Sequence, residues 1–139
     1  IFRTQSYRRE DRAKREQAAE LLEFTGLSAV AHEPAAAISS AQQRLLMIAT
    51  ALATQPKVLL LDEPAAGMVA KERAELSEII LRIRDRGVAI LVIEHHMGLI
   101  MEVCERIAVL NFGQKIADGA PAQVRANPAV IDAYLGTEH

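Results

Sequence analysis

The chain contains 139 residues, of which 50% are hydrophobic and 24% are charged, a composition typical of a soluble globular protein. This length predicts one ordinary domain, because a single core commonly serves about 100 to 200 residues. The 16 basic and 18 acidic side chains leave a formal charge of -2, which disfavours a nucleic-acid partner. A single cysteine, Cys104, excludes an internal disulfide and a cysteine cluster for zinc.

The apolar runs, the N-terminus and the cysteine content of the sequence indicate where the protein is located in the cell. No apolar run approaches the roughly 18 residues of a membrane span, and the N-terminus lacks a signal-peptide hydrophobic region. We therefore expect that the chain does not cross a bilayer, and its cysteine content is compatible with a reducing, cytosolic setting. Because the sequence begins with Ile1 rather than methionine, we also expect that it starts inside a longer gene product.

The first part of the chain predicts two helices. Residues 7–25 are rich in helix formers, with Gly26 as the terminating residue. Their interleaved acids and bases favour a solvated helix face over a patch that binds lipid headgroups or nucleic acid. A second helix begins at Ser39 or Ser40, either of which can cap it, and ends before Pro56.

Two apolar runs predict neighbouring parallel strands. Residues 57–64 (KVLLLDEP) and 88–96 (VAILVIEHH) each read as a strand buried on both faces. Residues 71–87 between them have apolar residues at helical spacing, so the three segments form one crossover unit. The remaining chain predicts a short helix near 97–104, a hairpin turning at Asn111 and Gly113, and two short helices after Pro121 and Pro128.

Two adjacent acids follow the first strand. Asp62 and Glu63 are expected at the carboxyl edge of a parallel sheet, where α/β folds bind ligands. In phosphoryl transfer one acid holds Mg²⁺, usually through water, and a second group orients or deprotonates the attacking water. Asp62 suits the first role and Glu63 the second. The alternative is a strand that ends in two solvated acids before a turn.

Two other segments are candidates for phosphate contacts. His95 ends the second strand on the same predicted edge and would contact a γ-phosphate; the alternative is an ordinary loop histidine, as we interpret His96. A helix N-terminus with small side chains offers backbone N–H groups to an anion, unless it is simply a capped helix start. Its residues are Ser39, Ser40, Ala41 and Gln42.

In order and spacing, these segments resemble the second half of an ATP-binding cassette (ABC) transporter ATPase. Ile38–Gln42 resembles the LSGGQ signature motif, and Val58–Asp62 resembles Walker B, with Glu63 in the position of the catalytic glutamate. Ala66–Val69 occupies the D-loop, and His95 the position of the switch histidine. Residues 105–136 are similar to the C-terminus of ATPases that serve branched-chain amino acid importers.

The resemblance implies an α/β fold. We expect a partial P-loop NTPase (ABC ATPase) fold with a parallel sheet, flanking helices, part of the helical subdomain, and a C-terminal β-hairpin followed by short helices. Residues 1–55 would be part of the helical subdomain with the signature motif. Residues 56–139 would be the C-terminal part of the RecA-like core, with Walker B, the D-loop and the H-loop.

The resemblance also implies a function. The chain would belong to the ATP-binding and hydrolysing subunit of an importer, with ATP and Mg²⁺ as cofactors, Glu63 and His95 as catalytic residues and Asp62 as the Mg²⁺ residue. Its signature motif, from Ser39 to Gln42, would contact the nucleotide of a second ABC ATPase subunit, identical or different. Further partners would be transmembrane permease subunits and, indirectly, a periplasmic or extracellular substrate-binding protein. The location would be peripheral, on the cytoplasmic face of the plasma (inner) membrane.

Departures from the family pattern keep alternatives open. No GxxxxGK(S/T) phosphate loop occurs in the 139 residues, so we expect the isolated chain to be inactive and prone to self-association. Ala41 replaces a signature glycine, Val69 a polar D-loop residue, Thr50 a common arginine and His96 a common aspartate. The alternatives are a degenerate, non-catalytic ABC module that dimerises or docks, and an ABC-type DNA maintenance ATPase, although no long heptad repeat is present.

Overall fold

The computed structural model describes residues 5–134, which form two compact units that divide between Ile93 and Glu94. The first unit contains α1 (Gln5–Phe24), a 3₁₀ turn (Ser28–Val30), α2 (Ser40–Leu52), β1 (Val58–Asp62), α3 (Ala70–Asp85) and β2 (Ala89–Ile93). The second contains α4 (Met97–Val103), β3 (Ile107–Asn111), β4 (Gln114–Gly119), α5 (Pro121–Arg125) and α6 (Pro128–Tyr134). All of the predicted helices and strands are present. The boundary at residue 55, between the helical subdomain and the ATPase core, stays a prediction.

The first unit is built on the parallel pair β1 and β2. Val58 lies opposite Ala89 and Asp62 opposite Ile93, with α3 as the connection between the strands. One side of α3 is buried by Leu76, Ile79, Ile80 and Ile83, each at most 5% exposed. The predicted crossover unit is therefore confirmed. Its parallel register brings the carboxyl ends of both strands to the same edge of the sheet.

The expectation that these strands are buried on both faces is wrong for the described chain. Leu59 and Leu61 are buried, whereas Val58 and Leu60 are 57% and 69% exposed. On β2, Leu91 is likewise 57% exposed. An apolar run indicates that both faces avoid water in the folded state, but it does not say which segment covers each face. Residues 5–134 bury one face of this sheet and leave the other open.

The first helix ends as its sequence predicts. Gly26 has a φ of 74°, its N–H donates to the carbonyl of Glu23, and the Leu27 N–H donates to that of Leu22 at 2.7 Å. This pair of bonds is a Schellman motif, which favours glycine because the backbone is left-handed there. The exposed surface of α1 carries three ion pairs spaced four residues apart, as expected for a solvated face: Glu10–Lys14, Asp11–Arg15 and Arg12–Glu16.

The second unit has its own apolar core under an antiparallel hairpin. β3 pairs with β4 through a turn in which Phe112 and Gly113 have φ angles of 45° and 78°, the signs of a type I′ turn. Tyr134 Oη donates to the carbonyl of Leu110 and ties α6 to the hairpin. The buried core consists of Ile100, Ile107, Val109, Ala117, Val124 and Val130. Within residues 5–134, no helix combines the length and apolar character needed to cross a lipid bilayer.

The hairpin carries a carboxylate whose ionisation couples to folding. Arg106 Nε donates a hydrogen bond to Asp118 Oδ1 at 2.8 Å, and Lys115 Nζ donates one to Asp118 Oδ2 at 2.7 Å. These two hydrogen bonds lower the pKa of Asp118 from 3.8 to about 2, and the bond from Arg106 has the larger effect. Because the pKa is lower in the folded state, this stabilisation is present above about pH 4 and is lost as the pH falls toward 2.

We predict that Asp118→Asn lowers the urea midpoint at pH 6 and that this difference shrinks between pH 4 and pH 2. Urea titrations at low ionic strength measure it, because salt screens exposed pairs. Asp132→Asn, which changes an exposed carboxylate on α6, is the matched control. A difference that stays constant from pH 6 to pH 2 would contradict the assignment to Asp118.

Candidate functional site

The predicted acids lie at the carboxyl end of β1. Asp62 is the last residue of the strand and Glu63 follows it, and both are exposed. Beside Asp62, a groove of about 310 Å³ separates α2 from β1. Apart from Arg44 and Asp62, the residues that line this groove are apolar. The groove therefore offers few groups that could bind a phosphate, and the acids form only part of a nucleotide site.

The backbone of Glu63 is held in a strained conformation. Its φ is 45°, in the left-handed region where a residue with a side chain costs about 1 kcal/mol or more. The Glu63 N–H donates to the Ile93 carbonyl at 2.8 Å, which adds one bond beyond the paired strands. Its carbonyl accepts from Arg44 Nη1 at 3.2 Å. The peptide groups on both sides of Glu63 are thus fixed, and the chain leaves the regular strand at Glu63, directly after Asp62.

Sequence reasoning missed Arg44. This residue lies on α2, two positions after Gln42, and links the helix that carries the signature segment to the backbone of Glu63. The available signal was a basic residue inside the apolar stretch QRLLMIA, but the sequence does not say which carbonyl it meets. Arg44 therefore couples the predicted signature helix to the predicted Walker B acid.

The signature segment is a capped helix start. Ser39 Oγ accepts from the Gln42 N–H at 3.2 Å, and Gln42 Oε1 accepts from the Ser39 N–H at 2.9 Å. This capping box leaves the hydroxyl proton of Ser39 and the side-chain amide of Gln42 to donate to an anion. Ser40 is exposed, whereas Ala41 is only 7% exposed. The methyl group of Ala41 therefore packs inward instead of projecting from the helix terminus.

The loop after Glu63 contains the predicted D-loop. Gly67 adopts a φ of 75°, and Met68 is buried. Val69 is 62% exposed, and its N–H donates to the carboxylate of Glu72 at the start of α3. The valine side chain itself has no hydrogen-bonding group to offer across an interface.

The predicted switch histidine lies in the second unit. His95 is two residues beyond the end of β2, and its side chain is 68% exposed. Its Nδ1 lies 3.7 Å from Oε2 of Glu94, and His96 is the residue immediately before α4. Asp62 and Glu63 share the first unit with the signature segment, whereas His95 belongs to the second.

The acids fit a magnesium ion that arrives with a nucleotide. Among the described residues, no group of three or more histidine, cysteine or acidic side chains is placed to hold a metal ion. Mg²⁺ is commonly held by one or two carboxylates together with substrate phosphates and water. Asp62 supplies one such carboxylate, and together with Glu63 it does not form an all-protein cage.

We predict that Glu63→Asn stabilises the fold by about 1 kcal/mol, since asparagine tolerates a positive φ better than most residues. Glu63→Ala removes the same carboxylate but retains the backbone strain, so it is the matched control. Urea denaturation measures both free energies of unfolding. Equal stability of the two variants would argue against strain at this position.

Comparison with protein families gives two matches. The model "ABC transporter" matches residues 1–66, and the model "Branched-chain amino acid ATP-binding cassette transporter" matches residues 114–139. The first match includes the capped helix start and both acids. The second covers the strand β4 and the residues after it.

Curated relatives extend over nearly the whole chain. The high-affinity branched-chain amino acid transport ATP-binding proteins BraF of Pseudomonas aeruginosa and LivG of Escherichia coli are each 44% identical over 137 residues, 98% of this chain and 54% of theirs. The lipopolysaccharide export system ATP-binding protein LptB of Haemophilus influenzae is 37% identical over 125 residues, 90% of this chain and 52% of that protein. The chain spans about half the length of these relatives.

Solved structures share the fold. The ADP conformation of MJ1267, an ATP-binding cassette of an ABC transporter, has a TM-score of 0.80 and 30% identity, over 89% of this chain and 50% of that one. A nucleotide-free ATP-binding cassette from an ABC transporter has a TM-score of 0.79 and 29% identity, over 88% and 50%. The predicted partial ABC ATPase fold is confirmed. Family matches, sequence identity and common fold together show that this chain belongs to the ABC transporter family, as part of an ATP-binding cassette.

Proposed function

We propose that the chain supplies the signature and Walker B half of the ATP-hydrolysing subunit of an importer for branched-chain amino acids. The observation that carries this proposal is the pair Asp62 and Glu63 at the carboxyl end of β1, with the backbone of Glu63 fixed on both sides. The names of BraF and LivG support the solute class. We also propose that residues 1–55 belong to the helical subdomain and residues 56–139 to the ATPase core.

Each acid has its own role in this proposal. Asp62 holds Mg²⁺ through water, and Glu63 orients and deprotonates the water that attacks the γ-phosphate. When held there, Mg²⁺ would supply positive charge that offsets the charge on the phosphates. Because φ at Glu63 is positive, its carboxylate leaves the strand in a different direction from that of Asp62, so two neighbouring acids perform different tasks. His95 contacts the γ-phosphate.

The signature segment serves a second cassette. The hydroxyl of Ser39 and the side-chain amide of Gln42 each donate a hydrogen bond to the γ-phosphate of that subunit's ATP. The backbone N–H groups of Ser40 and Ala41 lie at the positive end of α2, which favours the same anion. This arrangement requires a dimer of ABC ATPase subunits, identical or different.

The remaining partners follow from the importer role. The dimer drives transmembrane permease subunits from the cytoplasmic face of the plasma (inner) membrane, where it is peripheral. A periplasmic or extracellular substrate-binding protein delivers the solute to the permease and acts on this chain only indirectly. Since the 139 residues hold no phosphate loop, hydrolysis requires a Walker A segment from elsewhere.

One other candidate function rests on two specific residues, although the relatives support the importer ATPase. A degenerate module that dimerises or docks without efficient hydrolysis would be consistent with Ala41 in the signature and with the apolar, 62% exposed Val69 in the D-loop. By contrast, the relatives described above are transport and export ATP-binding proteins, and they do not favour a DNA maintenance ATPase.

The decisive experiment measures the intact mass and the ATPase activity of the native gene product. We expect Mg²⁺-dependent hydrolysis by a product that includes a Walker A segment, and the mass shows whether that segment belongs to the same polypeptide. Glu63→Gln should lower kcat by at least about a hundredfold, with ATP binding retained, since a general base contributes about 10²- to 10⁴-fold. Glu78→Gln, at an exposed position on α3, is the control. Undiminished hydrolysis in Glu63→Gln would refute the catalytic role.

A second variant separates the two candidate functions. Ala41→Gly combined with Val69→Asn restores the signature glycine and the polar D-loop residue of the family pattern. We expect kcat to rise severalfold if the protein is an impaired ATPase, because the D-loop regains a polar group for the dimer interface. Unchanged turnover in steady-state assays would favour the degenerate module.

A further inference from the structure

A buried carboxylate belongs to the first residue of the second unit, Glu94, three positions before α4. The side chain of Glu94 is 1% exposed, while that of its neighbour His95 is 68% exposed. Burial of an ionised carboxylate is costly unless hydrogen bonds compensate for the lost water. The contacts of Glu94 therefore indicate what this burial achieves.

One oxygen of this carboxylate holds two consecutive peptide groups. Oε2 accepts from the N–H of His95 at 2.9 Å and from the N–H of His96 at 3.0 Å. Hydrogen bonds to an ionised acceptor are about twice as strong as those between neutral groups. His96 is the N-cap of α4, and its own side chain makes no capping bond. Glu94 thus fixes the backbone that enters α4.

The same oxygen also lies near the ring of His95. Nδ1 of His95 lies 3.7 Å from Oε2 of Glu94. The Nδ1 edge of the imidazole is therefore turned toward the buried carboxylate, and Nε2 is the nitrogen on the opposite edge. Oε2 of Glu94 therefore accepts a hydrogen bond from the backbone of His95 and also lies close to its ring.

We propose that Glu94 is a positioning residue that presents Nε2 of His95 to the γ-phosphate, an inference that rests on the proposed role of His95. Phosphoryl transfer depends on placement, and supporting groups must hold a functional side chain within about 0.5 Å of its productive position. The side chain of His95 is 68% exposed, so a contact from a buried neighbour can restrict where its ring lies. The buried carboxylate of Glu94 provides this contact and so restricts the position of His95.

Three substitutions separate the parts of this role. Glu94→Leu removes the acceptor, Glu94→Asp keeps the charge but shortens its reach, and Glu94→Gln keeps one acceptor oxygen where a single oxygen receives both bonds. Glu102→Gln, at an exposed position on α4, is the matched control. All are made in the native gene product.

ATPase kinetics give the first readout. We expect kcat to fall about ten- to a hundredfold in Glu94→Leu, the range for losing a group that orients a ligand residue, about tenfold in Glu94→Asp and about threefold in Glu94→Gln. KM should change less than about twofold in each variant. In a His95→Ala background, the further loss should be less than about twofold, because a positioning residue acts through its partner.

A loss of equal size in the His95→Ala background, or wild-type kcat in Glu94→Leu, would overturn the proposal. If Glu94→Leu does not fold, Glu94→Asp decides by the same double-mutant comparison.

Amide NMR gives a second readout that does not require hydrolysis. The amide protons of His95 and His96 should shift upfield in Glu94→Leu and exchange faster with solvent, and Glu102→Gln should leave both unchanged. A wild-type protein without ATPase activity would defeat the proposed function. In that case, unchanged His95 and His96 amides in Glu94→Leu would overturn the positioning role separately.

Discussion

The pairing of β1 with β2 is the constraint on which the candidate site depends. The ladder ends with a bond from the Glu63 N–H to the Ile93 carbonyl, one position beyond Asp62. That bond and the Arg44 contact hold Glu63 at a positive φ, so strain is concentrated at the residue proposed to handle water. Strained backbones persist where surrounding contacts determine them fully, and functional sites collect them. The parallel register thus sets both the position and the direction of the acids.

Local features could be predicted from the sequence, and features that depend on distant contacts could not. The cap at Ser39 and the left-handed end at Gly26 arise from bonds within five residues, so the sequence contains their cause. The placement of Asp62 followed from an apolar run and a crossover connection. In contrast, the contact of Arg44 and the burial of Glu94 depend on packing between segments, which periodicity does not encode.

A common device supports the proposed phosphate-facing residues. Ser39 and Gln42 bind each other's backbone amides, and Glu94 binds the amides of the two residues that follow it. In each case a side chain acts on the backbone rather than on another side chain, which pre-organises a segment before any ligand arrives. These segments then lose their conformational entropy when the protein folds, so that ligand binding does not have to order them. This matters for a cassette whose nucleotide is shared between two subunits, as proposed.

The open face of the β1–β2 sheet has a consequence for the thermodynamics of unfolding. Leu60 and Ile93 are 69% and 59% exposed on a parallel sheet, a type that is normally covered on both sides. These side chains are already hydrated in the folded state, so unfolding of the 139 residues exposes little new apolar surface there. The heat-capacity change and the urea m value of unfolding are therefore smaller than those of a sheet of the same length with both faces covered.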